Sequence, residues 1–368
     1  MPLKNSYVVW NNKGGAGKTT LTFHLSTEYA LSHPLEEIVV LDMCPQTNAS
    51  SALLSNVDEN DEGIQGDEVV REMANSKVDC NDAYKTSFEY DKTVCGYLMA
   101  QIDKRGINFE EFLVRPAEYN EYIPRNMQLL CGDHYLEVIA KRLEGERMLP
   151  PTRKGPWKVV TEFMKEFVTR VVASDPRERV FTFFIDTNPS FSVYTELAML
   201  AATRIIVPFN ADDFSRTAVK SMLYLLYGIE IDNERQMKYE HLREYEFWYR
   251  AKKEGFILPK IHLLINNKIT QYRNGVAKAF GAKESEIRDH IKTVMHEKSE
   301  RFVHPEDPDF PIIHELNDFH TIAVQCLQLG CPLRDLPAKV QMADVTVPNA
   351  EKVQQAYLLK LQSIVQLL

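Results

Sequence analysis

The sequence predicts an α/β protein built on a doubly wound, mostly parallel sheet with helical insertions. Three observations carry that prediction. Apolar runs recur along the chain and are continuous, not alternating. Patterns of helical period lie between them. A glycine-rich loop separates the first apolar run from the first helix. A strand covered by helices on both faces has no solvent side, so it reads as unbroken Ile, Val, Leu and Phe. Strands alternating with helices imply parallel pairing through crossovers, with a ligand at the carboxyl ends of the strands.

Tyr7-Val8-Val9-Trp10 is the first expected strand, and Leu21 to Ala30 the first helix. Ile38–Leu41, Met127–Cys131, Val180–Ile185 and Arg204–Pro208 follow as strands, with Ile261–Ile265 after them. These place an α/β core in residues 1–55 and 125–335. Residues 56–124 break the pattern and read as a helical insertion, opening on the acidic run Asp58 to Glu62 and carrying the helical stretch Thr93–Ile102. Residues 229–257 form a second insertion, in which Glu234–Lys253 reads as a charged aromatic helix: a partly packed surface helix or one that docks a partner. In the C-terminal helical extension, 336–368, Val353, Tyr357, Leu361, Ile364 and Leu368 share one helical face. Its basic residues Lys352 and Lys360 are partly offset by Glu351, so packing onto the domain or a dimer partner is expected in place of membrane attachment.

Composition narrows the function classes. With 44% hydrophobic and 26% charged residues in 368, the chain has ample material for a core. No apolar run reaches the ~18 residues of a membrane span, and Met1 to Ser6 lacks the apolar core of a signal peptide. A cytoplasmic protein is expected. The six cysteines show no Cys-x-x-Cys spacing and read as free thiols; the ten histidines form no zinc-type pair. A net charge of −9 argues against nucleic-acid binding over the whole surface, though not against a local basic patch.

The loop Asn11-Asn12-Lys13-Gly14-Gly15-Ala16-Gly17-Lys18-Thr19-Thr20 is the most specific feature. Glycines let successive backbone N–H groups turn onto phosphates, and the helix N-terminus that follows adds partial positive charge. Lys18 is expected at the β- and γ-phosphates of ATP, and Thr19 on Mg²⁺. The usual P-loop spacing asks for glycine at position 12, where this chain has Asn12, and a second lysine, Lys13, stands at the mouth of the loop.

Lys-Gly-Gly-x-Gly-Lys-Thr-Thr resembles the deviant Walker A motif of the ParA/MinD family of dimerising ATPases. Ile38 to Asn48, with Asp42, Cys44, Pro45 and Gln46, is similar to the family's switch I, Asp-x-Asp-Pro-Gln-Gly-Asn. Phe181 to Ser190, with Asp186 and Pro189, is similar to its Walker B and switch II. Leu197–Pro208 resembles the helix and strand that come next. The resemblance covers 5–55, 125–145, 180–228 and 258–335. Its iron–sulfur members place a cysteine shortly after the Walker B aspartate; Asp186-Thr-Asn-Pro-Ser has none.

The resemblance implies roles for particular residues. Asn12 to Thr20 would bind nucleotide, with Thr19, Asp42 and Asp186 around Mg²⁺. Lys13 would cross a nucleotide-sandwich homodimer to the partner's phosphates. Asp42 and Asp186 each end an apolar strand, which brings a carboxylate to the sheet's carboxyl edge; a helix N-cap is the plainer role for Asp186. Asn266 and Asn267 stand where relatives contact adenine, although asparagine after a strand is also ordinary turn chemistry. The loop Phe209 to Arg216 is expected near the dimer interface. Non-specific DNA binding would draw on Arg250, Lys252, Lys253, Lys260, Lys268, Arg273, Lys278 and Lys283.

Cys44 departs from the family pattern, which has an aspartate that helps position the attacking water. A neutral thiol supplies no charge and accepts hydrogen bonds poorly. Three readings follow: very slow hydrolysis, another water-orienting group such as Asp42, or a redox-sensitive thiol. The function expected is a ParA-like ATPase that partitions DNA or positions cargo with a ParB-like or other protein partner, and without a membrane. The rivals are an ATP-bound scaffold with little turnover, a MinD-like membrane-positioning ATPase, and an amidoligase-type synthetase.

Overall fold

The computed structural model of the chain describes residues 2–57, 62–82, 85–150, 155–210, 213–229, 239–269, 276–305, 307, 310–317, 321–336 and 350–368. Its strands are β1 (Leu3–Val9), β2 (Glu36–Met43), β3 (Asn56–Val57), β4 (Gly63–Ile64), β5 (Lys77–Asn81), β6 (Ser87–Asp91), β7 (Leu113–Val114), β8 (Met127–Leu130), β9 (Val180–Thr187), β10 (Arg204–Phe209), β11 (Lys260–Ile269) and β12 (Ile313–Asn317). The helices are α1 (Lys18–Ser32), α2 (Asn48–Leu54), α3 (Gly66–Asn75), α4 (Val94–Ile102), α5 (Leu136–Arg147), α6 (Pro156–Thr161), α7 (Phe163–Ser174), α8 (Val193–Ala201), α9 (Asp213–Tyr227), α10 (Phe247–Lys253), α11 (Val276–Glu297), α12 (Thr321–Leu329) and α13 (Ala350–Val365).

Among the described residues one eight-stranded sheet runs β12-β11-β10-β1-β9-β2-β8-β7. Its pairings are parallel except β7 with β8. The doubly wound expectation holds because alternate strand residues enter two separate cores. Val8, Val39 and Leu41 pack under α4 to α11, and Tyr7, Val9, Ile38 and Val40 under α1, α2, α3, α12 and α13. Both sides being apolar, the strands show no alternation in sequence.

The segment 56–124, expected as a helical insertion, is mixed. It holds α3 and α4, the antiparallel pairs β3–β4 and β5–β6, and the antiparallel edge strand β7. Lys77-Val-Asp-Cys-Asn81 alternates exposed and buried, the period of a strand with one face covered. In 229–257, residues 230–238 lie outside the described residues. The rest forms a 3-10 turn over Glu240–Tyr245 and the separate short α10, not one continuous helix. The C-terminal helix α13 buries Tyr357, Leu361 and Ile364 in the core shared with α1; Val353 lies outside the residues whose side chains are described. Beyond α13, the Leu367 carbonyl lies 2.8 Å from His262 Nε2, and the Leu368 carbonyl accepts from the Tyr7 hydroxyl.

Candidate functional site

The loop between β1 and α1 lies at the carboxyl edge of the sheet, in its middle. Gly15 and Gly17 adopt φ of +68° and +86°, the left-handed region in which a Cβ is strained. A Cβ on Gly17 would also stand 1.9 Å from Asn267 Nδ2, so packing as well as backbone geometry requires glycine there. The loop is anchored from below: Asn11 Nδ2 donates to the Pro208 carbonyl at 2.7 Å, and Lys13 N donates to Asn11 Oδ1 at 3.2 Å. Asn12 Nδ2 donates to Ser221 Oγ of α9 at 2.7 Å. Helix α1 starts at Lys18 with no acidic residue in its first turn, leaving its positive end for an anion. Lys18 Nζ donates to the carbonyls of Asn11 and Lys13 at 3.1 and 2.9 Å. Burial lowers its proton affinity, against which the neighbouring Asp186 and Cys44 raise it.

Beneath the loop, Asp42 on β2 and Asp186 on β9 stand in register and are fully buried. Asp186 accepts from both threonines of α1's first turns, Thr19 Oγ1 at 2.9 Å and Thr22 Oγ1 at 3.1 Å. Asp42 faces its own loop: it accepts from Cys44 N at 3.1 Å, Ser50 N at 2.9 Å and Ser50 Oγ at 2.7 Å. Burial pushes both carboxyls above the ordinary carboxylate range, and Asp42 adds to the effect on Asp186. Ser50 Oγ also accepts from Gly132 N at 2.8 Å, and a Cβ on Gly132 would meet the Asp42 carboxylate at 2.8 Å. Asp42 therefore braces the loop that follows β2, while Asp186 presents its oxygens toward the P-loop.

Cys44 is buried and its thiol is pushed up to about 12, by burial first and then by Asp42 and Asp186. Burial and the two neighbouring carboxyls favour the protonated thiol over the thiolate that redox chemistry uses. A cleft of ≈ 840 Å³ opens above these groups. Its floor is Gly14 to Thr20. Cys44, Gln46 and Asn48 form one wall, Thr187, Asn188 and Pro189 another, and Ser51, Gln65, Asp67 and Gln328 stand further out. The donors fit Mg²⁺, a hard cation that takes hydroxyl, carboxylate and phosphate oxygens. Among the described residues no group of three or more His, Cys, Asp or Glu could hold a metal. A cation held by one hydroxyl, one carboxylate, water and substrate oxygens needs no such group.

Comparison with known proteins bears on this geometry. A domain family described as an AAA domain matches residues 5–149, from β1 through the P-loop and switch I to the end of α5. The match takes in the glycine-rich loop and Asp42 and stops before Asp186. An ATP complex of a Cyanothece McdA variant superposes with a TM-score of 0.57 at 13% identity, covering 98% of this chain and 95% of that one. Apo McdA from Cyanothece gives 0.55 at 14%, covering 98% and 99%. A Corynebacterium diphtheriae protein gives 0.51 at 15%, covering 89% and 97%. At these identities the likeness establishes the fold. An uncharacterised Methanocaldococcus jannaschii protein is 23% identical over 223 residues, 61% of this chain and 65% of that protein, so the match spans just under two thirds of that relative.

In this chain, Gly14, Gly15, Ala16, Gly17, Lys18, Thr19 and Thr20 line the cleft together. Asp42 and Asp186 lie beneath it. Asn266 and Asn267 sit inside β11 and not in a turn after a strand, Asn266 in register with both β10 and β12 and Asn267 with β12. Asn267 Nδ2 donates to the Ala16 carbonyl at 3.3 Å, so it braces the P-loop directly. Of the basic residues named for DNA, Arg250 lies over the Trp157 ring at 4.7 Å and Lys253 pairs with Glu244 at 2.9 Å. Lys260 opens β11, at the end of the sheet opposite the cleft. Arg273 lies outside the described residues, as do the side chains of Lys268, Lys278 and Lys283; in the loop 209–216, so do Ala211, Asp212 and the side chains of Asp213 to Ser215. Sequence reasoning missed Ser50, His134, Glu137 and Tyr194, which support the cleft walls from separate helices or loops and carry no motif.

Proposed function

We propose that this chain is a ParA-like nucleotide switch that binds ATP with Mg²⁺, closes as a homodimer around the nucleotide, and in that state binds DNA or a protein partner. Partitioning of DNA or positioning of a cargo is the role this serves. The observation that carries the reading is the Thr19 hydroxyl–Asp186 carboxylate pair, 2.9 Å apart, at the first turn of α1 beside Lys18. A hydroxyl and a carboxylate so placed would hold Mg²⁺, which neutralises phosphate charge when bound. Lys18 would contact the β- and γ-phosphates, and the free amides at the start of α1 would orient them. Lys13 would reach a partner's phosphates across the dimer. The ATP complex known for the similar McdA supports nucleotide as the ligand.

A second reading, a long-lived ATP-bound scaffold, is favoured by Cys44. Its neutral thiol cannot orient water as a carboxylate does, and loss of one positioning group costs on the order of 10²-fold in rate. Steady-state ATP turnover, with and without duplex DNA, separates the two readings when measured beside Cys44→Asp and Lys18→Ala. Turnover above the Lys18→Ala background, raised by DNA, supports a cycling ATPase. Turnover at background that rises in Cys44→Asp supports the scaffold. Absence of ATP binding by the unaltered protein overturns both.

A further inference from the structure

The start of α5 touches both loops that wall the cleft. On one side, His134 Nδ1 lies 3.0 Å from the Pro45 carbonyl. A carbonyl only accepts, so this contact requires the proton on Nδ1. Pro45 stands between Cys44 and Gln46, both cleft residues. On the other side, the Tyr194 hydroxyl donates to Glu137 Oε1 at 2.8 Å and accepts from Asn188 Nδ2 at 2.7 Å. Ser190 Oγ donates to Asn188 Oδ1 at 2.9 Å, closing the network over the loop after β9. Asn188 and Pro189 line the same cleft.

The segment between these two anchors is firmly held. Tyr135 N donates to Asp133 Oδ1 at 2.8 Å, Thr93 Oγ1 donates to Asp133 Oδ2 at 2.7 Å, and Leu136 is fully buried. His134 and Glu137 therefore belong to one fixed piece of backbone, three residues apart, each holding a different wall. A loop that shifts to meet a ligand changes its bond to that piece and so biases the other loop.

We propose that residues 134–137 at the start of α5 couple the two cleft loops, so that both respond to nucleotide as one unit, with His134, Glu137 and Tyr194 as positioning residues. The proposal rests on the nucleotide reading above. Hydrogen exchange of the full chain, with and without saturating Mg²⁺ and ATP, tests it. Peptides over 14–25 report binding itself, and peptides over 44–48 and 186–194 report the loops. The unaltered protein should show slowed exchange in all three. His134→Ala should lose at least threefold of the slowing in 186–194, and Tyr194→Phe at least threefold in 44–48, while 14–25 stays protected. Glu137→Gln, whose amide oxygen still accepts from Tyr194, should behave as the unaltered protein and shows that the fold tolerates change there. Variants that alter only the loop they touch overturn the coupling. If the unaltered protein shows no slowing in 14–25, nucleotide binding fails and the coupling fails with it.

Discussion

Replacing Asp186 by asparagine should make the ligand-free protein more stable and the nucleotide-loaded protein less so. Asp42 and Asp186 occupy one register position on neighbouring strands, fully buried, with backbones about 5 Å apart. At an effective dielectric near 20, two unit charges at that distance repel by about 3 kcal/mol. Against this, Asp186 accepts from Thr19 and Thr22. Each of those bonds is weaker by about 1 kcal/mol when the acceptor is neutral. Relief of repulsion outweighs the weakened bonds by about 1 kcal/mol, and relief of burying a charge adds to it. For 368 residues that corresponds to a rise of about 1–2 °C in melting temperature at pH 8, without Mg²⁺.

The pH dependence has a definite sign. Burial, then Asp42, raises the Asp186 pKa in the folded state. A raised carboxyl takes up protons on folding, so the unaltered protein loses stability as pH climbs from the ordinary carboxylate value through the raised one. The advantage of Asp186→Asn should grow in the same direction and vanish in acid. Adding Mg²⁺ and ATP at about 100 times Kd stabilises the unaltered protein by about 2.7 kcal/mol and the variant by much less, which reverses their order. Melts by differential scanning fluorimetry at several pH values, with and without ligand, read all of this. A variant that melts below the parent at pH 8 without ligand refutes the repulsion argument. One that keeps the full ligand shift removes Asp186 from metal holding.

Three other substitutions or treatments follow from the same geometry. Gly17→Ala forces a Cβ onto Asn267 at 1.9 Å in a left-handed conformation; a loss of about 1–2 kcal/mol and at least tenfold weaker ATP binding by titration calorimetry are expected, and unchanged affinity counts against the loop's role. Gly132→Ala pushes into the Asp42 carboxylate at 2.8 Å and should destabilise by about 1–3 kcal/mol in denaturant melts, whereas a Cβ on Gly14 meets nothing within 4 Å and Gly14→Ala should leave stability unchanged. Cys44, with its thiol pushed up to about 12, should react with iodoacetamide at pH 8 far more slowly in the folded protein than in urea, as followed by peptide mass spectrometry. Equal rates would mean an exposed thiol.

The parts of this fold that the sequence exposes are those where one residue type has one physical use. Unbroken apolar runs located the central strands, since only doubly covered strands lack polar positions, and Gly14 to Thr20 located the loop that lines the cleft. What stayed hidden depends on register and tertiary contact. Lys77–Asn81 was hidden because a five-residue alternation is weak beside the helical stretches around it. Asn266 and Asn267 resembled a turn because the sequence does not say that β11 continues through Ile269. Asp42 and Asp186 looked equivalent, each closing an apolar run. Their difference comes from Ser50 on α2 and Thr22 on α1, which turn one carboxylate to its own loop and the other to the P-loop.

That difference also bears on Cys44. A carboxylate at position 44 would be a third negative charge beside two buried ones, and the thiol's pKa already registers both neighbours. In the ligand-free state the thiol avoids a repulsion of the same order as that between Asp42 and Asp186, about 3 kcal/mol per pair at close range. Cys44→Asp should therefore lower the ligand-free melting temperature by several degrees while Mg²⁺ and ATP recover most of the loss, because a bound divalent cation reverses the sign of the local field. The same variant should gain turnover. Gain of turnover with an unchanged ligand-free melt would show that the side chain at 44 turns away from the aspartate pair. The thiol would then owe its place to the packing of the switch I loop and not to the charge beneath it.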